Sequence, residues 1–168
     1  MKTGHWSPQV YVREAARLKG QYVLTEHDIL QNDTKWDVIG LGSYTIDIPG
    51  AVDRVPAHGK TLLEGGMQSP TYCNKSLPAY AIPLRSLRPQ ADQASNLFVP
   101  VALSASHVAF SSVRMEPTWM VLGQSAGVAA SMAAASPSGA VNVTALQTRL
   151  LALGQVLKPP PHTMTTGL

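Results

Sequence analysis

The sequence has little of several features that mark particular classes of protein. Its one cysteine, Cys73, excludes an intramolecular disulfide and a C-x-x-C metal-ligand pair in the printed chain, and suits a half-buried thiol. None of its five histidines lies three or four positions from another, the spacing at which a helix presents two metal ligands. Its 13 lysines and arginines are scattered, despite a net charge of +3. We therefore predict no metal site and no nucleic-acid partner.

The pattern G-x-G-x-x-G, which holds a dinucleotide pyrophosphate at a helix N-terminus, is absent. The nearest approach is Gly40-Leu-Gly42, where Thr45 stands in the place of the third glycine. The chain then continues through Asp47 to Pro49 rather than into a helix. The printed chain therefore lacks the usual source of affinity for the pyrophosphate of a dinucleotide.

Acidic residues are absent after Glu116. This matters for Gly123-Gln-Ser-Ala-Gly127, which matches the G-x-S-x-G nucleophile elbow of serine hydrolases. In that fold the acid and the histidine of the triad follow the serine along the chain. Since no acid follows here, we interpret Ser125 as a small residue that lets a helix pack closely, not as a nucleophile.

Charge is absent from Pro117 to Thr148. Residues 117–135 are long enough to cross a bilayer, but alanine, glycine and hydroxyl residues make up most of them. This composition favours a fully buried helix of a soluble protein over a membrane span. The N-terminal residues are polar and lack the apolar core of a secretory signal, so we expect a cytoplasmic location by default.

The chain has 168 residues and is 45% hydrophobic, which fits one domain with a core. Its pattern predicts a mixed α/β chain, or α+β if the chain is a fragment. Turn formers and apolar periodicity predict helices at 8–19 and 117–135, and a capping box at Thr25–Asp28 that opens a brief helical turn. They also predict a β-rich segment at 36–90, with an extended stretch at Tyr80–Leu87, and a strand at 96–103. A last helix is opened by Thr144 and Gln147 and stopped by Gly154, and a disordered tail follows at 158–168.

The most informative stretch runs from Asn96 to Gly127. It consists of a predicted strand, a turn rich in serine and histidine, the isolated Arg114, and a proline suited to the first position of the helix that follows. This order presents a helix N-terminus, with its free N–H groups, to an anionic or electron-rich ligand.

Most of the chain resembles the C-terminal portion of the FAD-dependent oxidoreductases sometimes labelled xanthan-lyase-like. The resemblance is carried by several segments together: Tyr11–Leu18, Tyr22–Asp28, Gly40–Asp47, Ile82–Leu87 and, above all, Asn96–Gly127. It implies a partial FAD-binding flavoprotein fold over 1–157. Residues 36–90 then form a β-rich substrate region, and residues 94–157 the FAD-facing strand and helices.

The resemblance also implies roles for individual residues. Arg114 and His107 are the catalytic candidates, Arg114 for stabilising negative charge on the reduced flavin or on a substrate, and His107 for proton transfer. An ion pair of Arg114 with Glu116 or a remote acid, and a hydrogen bond of His107 to a turn, are the structural alternatives. The implied FAD neighbours are Ser104, Ala105, Ser106, Met115, Pro117 and Thr118. Tyr44, Asp47 and Arg85 belong to the implied substrate region.

Two positions depart from the pattern that the family shows. A histidine usually follows soon after the acid that matches Asp47, where this chain has Ile48-Pro49-Gly50, and an aromatic residue usually precedes the arginine that matches Arg85. With the dinucleotide fingerprint also missing, the resemblance implies a C-terminal fragment that is inactive alone and needs an N-terminal dinucleotide-binding segment. The alternative is a non-catalytic interaction module or remnant that uses the small-residue helix as a packing surface.

Overall fold

A computed structural model describes residues 15–31, 34–57, 60–68 and 79–159, with the backbone alone described for 48–57 and 60–68. Helices and strands both occur in this part of the chain, which confirms a mixed α/β fold. In chain order the elements are α1 (Glu26–Gln31), β1 (Val38–Gly42), β2 (Ile46–Ala57), β3 (Lys60–Gln68), β4 (Tyr80–Pro83), a 3₁₀ turn (Leu84–Leu87), α2 (His107–Val113), α3 (Glu116–Ala135) and α4 (Val143–Ala152).

A short antiparallel pair of strands forms the centre of the fold. β1 pairs with β4, with Gly42 opposite Tyr80 and Val38 opposite Pro83, and the register is irregular between Val38 and Gly40. Pro83 lies at the end of β4 beside this irregularity, as the sequence predicts for a proline that cannot donate to a ladder. Both strands are almost entirely buried, and α3 and α4 pack against β1.

The β-rich middle segment contains a hairpin. β2 pairs antiparallel with β3, and the register shifts between Ile48 and Asp53. This agrees with the β structure predicted for that region. Cys73 lies outside the described residues.

The prediction of a strand at 96–103 is wrong. In that stretch, backbone hydrogen bonds join Val99 N to Leu87 O at 2.9 Å and Leu18 N to Ala102 O at 2.9 Å, so its partners come from two different segments and no ladder forms. Pro100 also lacks the N–H group that a continuous ladder needs. The apolar run is irregular, with bends at 100–102, and its Leu103 is fully buried.

Two predictions of local structure near this run also fail. The residues after Ser106 form the helix α2, not a turn, and the Ser106 Oγ caps it by accepting from Ala109 N at 3.1 Å. The helix predicted at 8–19 is absent over 15–19, where Leu18 N and Arg17 Nε bond to residues 102 and 105 instead. Residues 8–14 lie outside the described part of the chain.

The long helix α3 starts at Glu116, one residue before Pro117, and ends at Ala135 as predicted. The expectation that it is fully buried is wrong. One face is buried, through Leu122, Ser125 and other residues, while Met120 on the opposite face is 75% exposed. Small residues permit the buried contact, because a Cβ on Gly40 of β1 would lie only 2.4 Å from Val121 Cγ1. No helix in the described residues is long and apolar enough to span a membrane.

The last helix, α4, is capped by Asn142, whose Oδ1 accepts from Ala145 N at 3.0 Å, so the capping box predicted at Thr144 is wrong. Gln147 instead donates to the carbonyl oxygens of Trp36 and Val38, both at 3.0 Å. The stop at Gly154 is confirmed, since its φ of +83° is a conformation that favours glycine. The predicted disordered tail lies outside the described residues from position 160 onward.

Candidate functional site

The backbone of three consecutive candidates pairs with that of Leu24; the candidates are Ser104, Ala105 and Ser106. Leu24 N donates to Ser104 O at 3.0 Å, and Ser106 N donates to Leu24 O at 2.8 Å. These bonds fix the backbone, and the Ser106 hydroxyl is committed to the cap of α2. Ser104 is fully buried, and its Oγ has no hydrogen-bond partner among the described residues. Ser104 is therefore the member of this segment with unused hydrogen-bonding capacity.

The two catalytic candidates lie at opposite ends of α2. His107 is its first residue and is exposed, whereas Arg114 follows its last residue and is buried. At 1.5 Å of rise per residue, the two backbone positions are about 10 Å apart along the helix axis. The backbone of α2 therefore keeps the two residues apart. They could act on the same reacting atom only if their side chains extended toward each other.

Arg114 forms an ion pair with Asp47 rather than with Glu116. Its Nη2 lies 3.0 Å from Asp47 Oδ2, and its Nε donates to Ser111 O at 3.1 Å. Ser111 Oγ in turn accepts from Asp47 N at 3.1 Å, which closes the network. The Arg114 side chain is 8% exposed and that of Asp47 is 31% exposed. The alternative of an ion pair with a remote acid is thus the observed arrangement, and Asp47 holds the guanidinium of a residue that lies two positions before α3.

The N-terminus of α3 follows Arg114 at once. Its N-cap is Met115, which provides no side-chain cap. The first intrahelical bond runs from Trp119 N to Met115 O at 3.1 Å, so the N–H groups of Glu116 and Thr118 have no partner within the helix, and Pro117 has no N–H at all. Thr118 is buried while Glu116 and Pro117 are exposed. The free N–H groups favour negative charge at this position, against the opposing charge of Glu116, while the charge of Arg114 is balanced by Asp47.

Arg85, a candidate for the substrate region, is held by an acid that the sequence did not single out. Its Nε and Nη2 donate to the two carboxylate oxygens of Asp37, at 3.0 and 3.3 Å. Its guanidinium also lies over the rings of Tyr22 and Trp36, at 5.0 and 5.3 Å from their centroids. Asp37 is fully buried, and its one sequence signal is its position immediately before the buried strand β1. Arg85 therefore joins the 3₁₀ turn that follows β4 to the residue that precedes β1.

A second acid, Asp28, forms a buried cluster. Its carboxylate accepts from Tyr22 Oη at 2.5 Å and from Thr25 N at 2.8 Å, and it pairs with Lys35 Nζ at 3.0 Å. Burial raises the pKa of Asp28, but the hydrogen bonds from Tyr22, Thr25 and Lys35 outweigh it and hold the pKa below its usual value. The contact with Thr25 N is the one that the predicted capping box requires.

Two further hydroxyl groups serve the structure. Ser125 is fully buried, and its Oγ donates to Ile39 O at 2.6 Å and accepts from Gln155 Nε2 at 2.6 Å. Tyr80 is also fully buried, lies 2.8 Å from Ser112 Oγ, and has a pKa raised by its burial. These contacts join α3 to β1 and β4 to α2. No group of three or more histidine, cysteine, aspartate or glutamate side chains that could hold a metal ion occurs in the described part of the chain.

The model of a family described as FAD dependent oxidoreductase matches residues 1–150. No curated protein and no solved structure matches the chain.

Proposed function

Because the chain belongs to the FAD-dependent oxidoreductase family, we propose that it supplies the isoalloxazine-facing side of a flavin site. In this proposal it is a C-terminal portion of a xanthan-lyase-like member, and a separate segment with a G-x-G-x-x-G turn binds the adenine and pyrophosphate portions. The chain alone then binds FAD weakly or not at all and is inactive, because its sequence lacks that turn.

The observation that carries the proposal is the junction between Arg114 and α3. An uncapped helix N-terminus and a cation held by Asp47 come together within a few residues. The chemistry that FAD would supply when bound is the transfer of two electrons to or from a substrate, and Arg114 and the first turn of α3 would stabilise the negative charge that the reduced flavin ring carries. Donors already fixed toward such charge stabilise it by a few kcal/mol. In this role the α3 N–H groups would donate to the ring, and Arg114, whose Nε and Nη2 are occupied by Ser111 and Asp47, would act through its remaining nitrogen, Nη1.

The fully buried Ser104 also fits a polar ligand. Its Oγ lacks a partner among the described residues, although buried hydroxyl groups almost always have one. Since Ser104 lies in the segment that the resemblance assigns to the flavin, we propose that its hydroxyl bonds to a polar atom of the cofactor. His107, at the other end of α2, is then an exposed proton donor or acceptor for the substrate side.

Flavin retention tests the proposal. We compare the purified 168-residue chain with the same chain joined to the N-terminal dinucleotide-binding segment of another member of the family. The expected result is a colourless chain and a yellow fusion that keeps FAD through gel filtration, with Arg114→Ala weakening retention in the fusion and the exposed Arg149→Ala leaving it unchanged. Near-stoichiometric FAD on the chain alone, or no effect of Arg114→Ala, would contradict the proposal.

The alternative, a non-catalytic interaction module, is favoured by one feature. The face of α3 that carries Met120, Gly123 and Gly127 is exposed in this structure. If the module interpretation holds, the chain forms a stable flavin-free complex and FAD changes neither its mass nor its stability. Sedimentation with and without FAD separates this interpretation from the flavin proposal.

A further inference from the structure

The positive charge of the Arg114 guanidinium is balanced by Asp47. Arg114 Nη2 lies 3.0 Å from Asp47 Oδ2 and also donates to the backbone oxygen of Asp47 at 3.5 Å. The Arg114 side chain is 8% exposed, so water and salt screen this interaction less than they screen a surface pair. Asp47 therefore determines how much positive charge Arg114 presents to a neighbouring ligand.

Glu116 is closer to Arg114 in the sequence but lacks this contact. It is the first residue of α3, is exposed, and its side chain forms no ion pair with the described residues. Its charge is therefore screened by solvent. Glu116 and Asp47 thus carry the same charge close in sequence to the same guanidinium, and only Asp47 touches it.

One nitrogen of Arg114 is available to donate to a ligand. Nε donates to Ser111 O at 3.1 Å and Nη2 donates to Asp47, whereas Nη1 forms no hydrogen bond with the described residues. The bonds of Nε and Nη2 lie on two different atoms of the planar guanidinium, so together they hold its orientation. The direction of Nη1 is fixed by the same two bonds.

Flavin reduction creates a charge on which this pair would act. A reductant that supplies two electrons and one proton converts the neutral oxidised ring to its anionic reduced form, with the proton on N5 and the negative charge on the N1–C2=O side. A positive charge nearby stabilises the reduced form relative to the oxidised form, and a negative charge nearby has the opposite effect. The sign of a change in reduction potential therefore reveals the sign of the charge that was removed.

We propose, on the basis of the flavin role proposed for Arg114, that Asp47 is a positioning residue that lowers the reduction potential of the bound flavin. Its carboxylate holds the guanidinium through Nη2 and balances its charge. Arg114 then acts on the ring as an oriented hydrogen-bond donor, with less positive charge than an unpaired arginine would carry. A lower potential makes the reduced flavin a stronger electron donor to the acceptor that reoxidises it.

The test measures the reduction potential of the flavin in the fusion protein described above, by equilibrium reduction against a reference dye with the protein in excess over FAD. Asp47→Asn keeps an oxygen that accepts from Arg114 Nη2 and removes the negative charge. We expect the equilibrium constant for two-electron reduction to rise about tenfold, which corresponds to a potential about 30 mV higher. Arg114→Gln leaves Asp47 unpaired and is expected to lower this constant. The double variant should lie between the two single variants.

Matched variants separate the charge of Asp47 from its structural contacts. Glu116→Gln removes the same charge without a contact to Arg114 and should raise the constant by less than about threefold. Ser111→Ala removes the hydrogen bond from Asp47 N without removing a charge, and should leave the potential unchanged. Asp47→Glu retains the charge and should stay close to the wild type. Urea denaturation establishes that each variant is folded under the conditions of the measurement.

Control of the potential by Asp47 would be contradicted by three results. They are an unchanged or lower potential in Asp47→Asn, an equal rise in Glu116→Gln, and shifts of the same sign in Asp47→Asn and Arg114→Gln, which a general disturbance of the site would produce. If the wild-type fusion retains FAD, these results leave the proposed function in place. A fusion that retains no FAD would contradict the proposed function and the role of Asp47 together.

Discussion

Arg114 and Asp47 are 67 positions apart in the sequence, yet Arg114 Nη2 donates to Asp47 Oδ2 at 3.0 Å. The pair joins the end of α2 to the start of β2, and Ser111 connects the two residues a second time. The guanidinium is thereby fixed against Asp47 and Ser111, with its Nε and Nη2 occupied. These contacts limit how far the Arg114 side chain moves.

Removing the carboxylate of Asp47 is expected to destabilise the fold. Asp47→Ala leaves the buried Arg114 guanidinium without its charged partner, which costs about 1–3 kcal/mol because a buried polar group is left unsatisfied. Urea denaturation followed by circular dichroism measures the free energy of unfolding. Glu116→Gln is the matched control, since that exposed acid pairs with none of the described residues, and a change below about 0.5 kcal/mol is expected. Equal effects of the two substitutions would disprove the structural role of the pair.

Local signals in the sequence predicted those parts of the fold that depend on nearby residues. Thr25 and Asp28 lie within one helical turn, and their predicted contact forms. Gly154 ends α4 through its own backbone conformation. The position of α3 likewise follows from Pro117 and from the alanine-rich run.

Long-range contacts determined the rest. The predicted strand at 96–103 has the right composition, but its backbone bonds are divided between Leu87 and Leu18, whose proximity no local pattern reveals. For the same reason, the sequence alone did not decide whether Arg114 pairs with Glu116 or with a remote acid. The contact of Asp37 with Arg85 was not predicted, because the two residues are 48 positions apart and only the pairing of β1 with β4 brings them close.

The buried Asp28 cluster is expected to make stability depend on pH. The folded-state pKa of Asp28 lies below its usual value of 3.8, so its contribution is fully present above that value and is lost as the pH falls below it toward the folded-state pKa. Asp28→Asn should therefore destabilise the protein at about pH 6 and flatten the loss of stability down to about pH 3. Urea denaturation across this range measures both effects. Asp92→Asn, at an exposed acid, should leave the pH profile parallel to that of the wild type, and a parallel profile for Asp28→Asn would contradict the assignment.

Ser125 is expected to act as a structural hydroxyl between α3 and β1. In Ser125→Ala, Gln155 loses the acceptor at 2.6 Å and Ile39 O loses one of its two donors. The expected loss is about 1–3 kcal/mol of unfolding free energy. Ser131→Ala is the control on the same helix, because Ser131 is exposed and its substitution should change stability by less than about 0.5 kcal/mol. A loss of esterase activity in Ser125→Ala at unchanged stability would instead support Ser125 as a nucleophile.

The same substitution is expected to have opposite effects at two glycines. Gly40→Ala places a Cβ 2.4 Å from Val121 Cγ1, so β1 and α3 must separate or Val121 must leave its rotamer, at about 1–3 kcal/mol. Gly123→Ala meets no atom within 4 Å and gains helix propensity, so it should stabilise by up to about 1 kcal/mol. Thermal unfolding of the two variants beside the wild type gives the sign of each change. If Gly123→Ala destabilises the protein and also dissociates a complex, the exposed face of α3 is already occupied in solution. If Gly40→Ala leaves the stability unchanged, α3 does not pack on β1 as closely as the structure shows.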